Sequence, residues 1–152
     1  MRVFSDSVNM VNAPFLARER GIDVREVRHD REGAYHTLVR VSVDTEAGKR
    51  SVAGTLFGEA QPRLVELFGI AVEAELTGDM IYIVNEDKPG FIGRLGSLLG
   101  EAGVNIATFH LGRTAPGKDA IALIEIDQPL GETLLEKVRA LPHVVQADEL
   151  TF

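Results

Sequence analysis

Cysteine is absent from this 152-residue chain, which excludes a disulfide framework, a thiol nucleophile and a thiolate-bound metal. Excess positive charge is also missing. The net charge is −7 and the pI about 5.1, which argues against nucleic acid or an anionic membrane surface as partner. No apolar run nears the roughly 20 residues that a membrane-spanning helix needs. Arg2 leads into a polar segment rather than the apolar stretch of a signal peptide. A cytoplasmic protein is expected, with neither membrane nor nucleic acid among its partners.

Catalytic signatures are missing as well. No Gly-x-Gly-x-x-Gly opens a strand–helix unit, and Gly93-Arg94-Leu95-Gly96 falls inside a helical pattern. The histidines His29, His36, His110 and His143 are dispersed without metal-ligand spacing. His110 alternates with Phe109 and Leu111, the setting of an ordinary half-buried histidine. No serine occupies a Gly-x-Ser-x-Gly elbow, and Glu73 and Glu75 read as solvated carboxylates on one strand face. No catalytic residue and no metal site are expected in this chain.

What is present is a core's worth of apolar residues, 45% of the chain, organised around the stretch 80–112. Met80, Ile81, Tyr82, Ile83 and Val84 form a β-prone run. Lys88-Pro89-Gly90 suits a turn into a helix, with Pro89 at the first helical position. Phe91, Ile92, Leu95, Leu98, Leu99 and Ala102 then make a helical stripe. Gly103 ends the helix, and Val104, Ile106 and Thr108 begin a second strand. On another face of the helix Gly93, Gly96 and Gly100 recur beside Ser97. Each glycine costs a helix about 0.8–1 kcal/mol relative to alanine, so this face calls for a closely approaching backbone or a ligand. Neutral drift on an exposed face is the alternative.

The turn and the second strand are expected to gather polar groups at one end of this unit. The helix N-terminus suits a carboxylate, Asp87 an ammonium group, and Asn105 supplies both a donor and an acceptor. Together they complement both ends of a free amino acid. Locally, Asp87 serving only to start the helix and Asn105 only a turn remain open.

The flanking sequence reads as follows. Asn12 is a candidate N-cap and Pro14 an early helical residue for a helix over 13–20. Strand patterns cover 22–29, 35–44, 49–57, 63–68 and 70–76, with a hairpin at Thr45-Glu46-Ala47-Gly48. A boundary falls at Thr77-Gly78-Asp79. Beyond Gly112 come a hairpin loop at 114–118, a strand over 120–127, a helix carrying Leu130, Leu134, Leu135, Val138 and Leu141, and a strand over 143–152. The fold class is α+β. A small α+β domain, 1–77, precedes a ferredoxin-like βαββαβ domain, 78–152, with an antiparallel sheet. Its two helices are expected on one sheet face, leaving the other face or an edge strand available for pairing.

The segment Asn85-Glu86-Asp87-Lys88-Pro89-Gly90, with Ile92-Gly93, Leu98-Leu99 and Gly103-Val104-Asn105-Ile106, resembles the ACT domain, a regulatory module that commonly binds amino acids. Four further stretches extend the likeness: Val11-Asn12-Ala13-Pro14, Glu19-Arg20-Gly21-Ile22, Val52-Ala53-Gly54-Thr55-Leu56-Phe57-Gly58 and Gly112-Arg113. With them the chain resembles, over nearly its whole length, the C-terminal regulatory part of D-3-phosphoglycerate dehydrogenases, an intervening domain followed by an ACT domain. The resemblance implies L-serine as a feedback ligand. Its implied contacts are Asn85, Asp87, Pro89, Gly90, Phe91 and Asn105, although family members often carry an aromatic or imidazole residue where this chain has Asn85. It also implies self-association through the ACT domain and catalytic domains of a parent dehydrogenase as partners. NAD is expected only in those catalytic domains, so this chain itself needs no cofactor and reads as a fragment or a stand-alone homologue. In the first domain the resemblance implies an anion site, for which Lys49, Arg50 and Arg63 are candidates beside His36 and Arg40. Simple exposure to water is the plainer reading of Arg40 and Lys49. A structural oligomerisation domain without ligand is the alternative function.

Overall fold

Alternating apolar residues along 38–75 fold as four consecutive strands. β1 (Leu38–Thr45), β2 (Gly48–Phe57), β3 (Gln61–Leu67) and β4 (Ile70–Glu75) form an antiparallel meander in that order. The computed structural model describes residues 8–24, 35, 37–46, 48–58 and 61–152. It divides into two compact units, 1–33 and 34–152. The first holds α1 (Ala13–Glu19), with Pro14 in its first turn. Asn12 occupies the N-cap position, but no side-chain bond caps the helix; its Oδ1 accepts the N–H of Asn9 at 2.7 Å. The strand expected over 22–29 lies outside the described residues from 25 onward, as do His29 and His36. Residues 22–24 carry no regular structure.

Within 34–152, a second antiparallel sheet follows. β5 (Asp79–Glu86), α2 (Phe91–Glu101), β6 (Ile106–Arg113), β7 (Asp119–Ile126), α3 (Glu132–Arg139) and β8 (Val144–Thr151) give the βαββαβ order, with strands arranged β6-β7-β5-β8. Period-two alternation sorts β5 and β7 between two faces. Ile81 and Ile83 of β5, with Ala122, Ile124 and Ile126 of β7, meet Phe91, Leu95 and Leu99 of α2 and Leu135 and Val138 of α3. Met80, Tyr82, Ile121 and Leu123 point the other way and pack on Leu64, Ile70, Val72 and Ala74 of the first sheet. The second face of this sheet is therefore covered by β3 and β4, correcting the expectation that it stands open. Both faces of β5 and β7 are buried, which is why those strands read as nearly continuous apolar runs.

The seam between the sheets is tight at one point. A Cβ added to Gly112 of β6 would lie 2.5 Å from the carbonyl oxygen of Ala71 in β4, so only glycine permits this approach.

α2 ends in a Schellman arrangement. The N–H of Val104 bonds the carbonyl of Leu99 at 2.9 Å, and that of Gly103 bonds Gly100 at 3.0 Å. Its expected stripe is narrower than the sequence implied: Phe91, Leu95 and Leu99 are buried, whereas Ile92 is 53% exposed and Ala102 is also open.

Candidate functional site

β5 and the turn after it build the polar end of α2. Asn85 shares the helix-facing side of β5 with Ile81 and Ile83 and is buried, 2% exposed. Its Nδ2 donates to the carbonyl of Glu86 at 2.8 Å, which fixes the amide's orientation. Oδ1 is buried with no hydrogen-bond partner. An unpaired buried acceptor costs about 1–3 kcal/mol, so this oxygen suits an incoming donor.

Two residues on, Asp87 sits in a knot of bonds. Its Oδ2 accepts Arg113 Nη1 at 2.8 Å and the N–H of Gly117 at 3.1 Å, while its own N–H donates to Lys118 at 2.7 Å. The Arg113 hydrogen bond, then that of Gly117, holds the Asp87 carboxyl below the usual carboxylate range.

Gly90 caps α2 with φ of +89°, a left-handed conformation that side chains rarely adopt. The expectation that Pro89 is the first helical residue is thereby corrected, because Gly90 intervenes and the helix begins at Phe91. A Cβ at Gly90 would come within 2.7 Å of Arg94 Nη1, so that guanidinium lies over the glycine. No side chain caps the helix, and its first turn contains no acid. Its leading N–H groups and positive dipole end are available to an anion.

These groups line a cavity of ≈ 440 Å³ with Asn85, Asp87, Lys88, Pro89, Gly90, Phe91, Ile92, Gly93, Leu111, Arg113, Pro116 and Gly117 on its wall. That volume lies in the range of small-molecule sites, about 300–1,000 Å³. Arg113 and Lys88 both act on the Asp87 carboxylate, and the Arg94 guanidinium lies over Gly90. The cavity can therefore receive a donor at Asn85 and a carboxylate at the helix N-terminus.

Five residues expected at the site, Asn85, Asp87, Pro89, Gly90 and Phe91, meet here. Asn105 does not. β5 and β6 both run antiparallel to β7, so they are parallel, and the start of β6 lies at the start of β5. Ile106 and Asp79 both pair with Ile126, whereas Glu86 pairs with Asp119 at the far end. There Asn105 Nδ2 donates to Asp127 Oδ2 at 2.8 Å. Conversely, Arg113, Gly117 and Lys88 join the site without having been singled out as contacts. The parallel return of a strand–helix–strand crossover is the signal that places the end of β6, and hence Arg113, beside the end of β5.

The anion candidates stay apart. Lys49 and Arg50 sit at the start of β2, with Lys49 opposite Asp44, whereas Arg63 pairs with Thr55 towards the other end of that strand. Arg50 stacks 4.7 Å above the ring of Phe68. Arg63 is ion-paired with Glu75, and Arg40 is bonded to Glu66 through two nitrogens. A further cavity of ≈ 380 Å³ between β4 and β6 includes Glu73, Phe109 and His110 in its wall.

The βαββαβ order and the polar turn opening α2 define the class: residues 80–143 match the ACT domain. Residues 1–68 match the D-3-phosphoglycerate dehydrogenase intervening domain. The chain thus carries an intervening domain of this kind followed by an ACT domain. It is 33% identical over 139 residues to the D-3-phosphoglycerate dehydrogenase of Bacillus subtilis, covering 91% of the chain and 26% of that protein. It is 31% identical over 137 residues to that of Methanocaldococcus jannaschii, with 90% and 26% covered. For that of Archaeoglobus fulgidus the figures are 33% over 147 residues, with 95% and 28% covered. The chain spans about a quarter of the length of these curated relatives. Among the described residues, no helix is long and apolar enough to cross a membrane.

Proposed function

We propose that this chain is a regulatory module of L-serine biosynthesis that binds L-serine at its ACT domain and so restrains a D-3-phosphoglycerate dehydrogenase. One observation carries the reading. A buried carboxamide oxygen without a partner, Asn85 Oδ1, belongs to a residue that lines a cavity beside an uncapped helix N-terminus and a carboxylate. That set matches the hydrogen-bond donors and the carboxylate of a free amino acid. We take 1–77 and 78–152 as its two domains, cytoplasmic, acting on catalytic domains that carry the NAD site.

Asn105 enters this proposal from a second copy. β6 stands at the edge of its sheet. Antiparallel pairing of two β6 edges would set the start of one strand beside the end of the other. Asn105 of one copy would then approach Asp87 and Arg113 of its mate, giving the ligand a seat between subunits and a means to bias their arrangement. An anion site in the first domain would need the same kind of assembly, because Lys49, Arg50 and Arg63 do not converge within one chain.

Calorimetric titration with L-serine tests the proposal, with glycine, L-alanine and phosphohydroxypyruvate as comparisons. Saturable serine binding, lost in Asp87→Ala without loss of the folded state, is expected. Phosphohydroxypyruvate heat without serine heat would move regulation to the first domain. Silence toward every ligand would favour an oligomerisation domain instead.

A further inference from the structure

We infer that Arg113 is the resting occupant of the ammonium seat, and that a ligand enters by exchanging the internal Arg113–Asp87 pair for two pairs of its own. This rests on the amino-acid reading above and adds the residue that selects zwitterions. Asp87 is not vacant: Arg113 Nη1 lies at 2.8 Å and the Gly117 N–H at 3.1 Å from the same oxygen. The Asp87 side chain is 22% exposed and that of Arg113 is 53% exposed, so the guanidinium can swing outward without disturbing the core. Asn85 Oδ1 is the acceptor left bare beside them.

Each half of an amino acid alone fares badly at such a site. An amine without a carboxylate would take Asp87 from Arg113 and leave Arg113 and Lys88 with no anion between them. A carboxylate without an amine meets an Arg113 already committed to Asp87. A zwitterion satisfies both. Its ammonium takes Asp87 and one of its hydrogens reaches Asn85 Oδ1, while its carboxylate takes the freed guanidinium and the leading N–H groups of α2. One ion pair becomes two, and the site's net charge is unchanged.

The test measures affinities of wild type, Arg113→Gln and Asp87→Asn for L-serine, L-serinamide and 3-hydroxypropionate by calorimetry. Wild type should prefer serine to either truncated ligand. Arg113→Gln should bind serine about tenfold more weakly, the scale of one charge-assisted hydrogen bond, yet bind serinamide several-fold more tightly than wild type, because Asp87 is free. Asp87→Asn should bind 3-hydroxypropionate more tightly than wild type, because Arg113 is free. Circular dichroism checks folding, and if Arg113→Gln is unfolded the Asp87→Asn arm decides. Variants that gain nothing for the truncated ligands overturn the exchange, even if wild type binds serine. Wild-type silence toward serine, with both variants gaining their truncated ligand, sinks the serine reading and supports the exchange. Silence of every protein toward every ligand overturns both.

Discussion

Tyr82 carries its hydroxyl into the boundary between the two sheets, where it is buried and has no hydrogen-bond partner. Burial pushes its pKa up to about 12. The neutral phenol is the form the fold tolerates, so its contribution to stability is fully present below pH 10. It is lost as pH rises from the unfolded pKa through the folded one. In urea titrations between pH 9 and 12, wild type should weaken over this interval more than Tyr82→Phe does. At pH 7 the variant should match or exceed wild type, since it removes a hydroxyl that nothing satisfies. At this scale the sequence revealed what neighbours along the chain decide. Asn85, Asp87 and Gly90 lie within one strand end and one turn, so Asp87 and the helix start were joined by spacing and Asn85 was added by the family resemblance. Arg113 is 26 positions from Asp87, and only the crossover brings them together. The same crossover carries Asn105 to the opposite end of its own sheet, which strand direction decides and spacing does not.

Among the elements, α2 shows most plainly what periodicity can and cannot tell. Its existence and its inward residues follow from the 3.6-residue repeat, whereas its first residue depends on Gly90 turning left-handed, which no periodicity reports. The glycine face is open: a Cβ at Gly93, Gly96 or Gly100 would meet nothing within 4 Å. Gly96→Ala should therefore stabilise the isolated chain by about 0.5–1 kcal/mol through helix propensity, read as a higher urea midpoint. Sedimentation of the same variant tests the surface itself. Weaker self-association would mark the glycines as a contact between copies, and unchanged association as mere exposure.

Residues 34–152 are held together by a core that passes beneath the proposed 77/78 boundary. The nearly continuous apolar runs of β5 and β7 fit burial on both faces, yet one face was expected to stand open, because a strand pattern carries no information about its opposite layer. Gly112 marks how closely the layers meet. In Gly112→Ala the new methyl would press on the backbone of Ala71, which cannot rotate away. A loss of about 1–3 kcal/mol is expected, measured as a lowered urea midpoint. Fluorescence and far-ultraviolet dichroism should still report one coincident transition, because the two sheets share side chains.

Ile92 has a practical consequence of its own. It borders the cavity yet stands 53% exposed, and no cysteine occurs anywhere in the chain. Ile92→Cys would place a single thiol at the mouth of the site without touching Asn85, Asp87 or Arg113. An environment-sensitive dye attached there would turn occupancy into a change of emitted light, read in real time on a protein whose polar groups are all native.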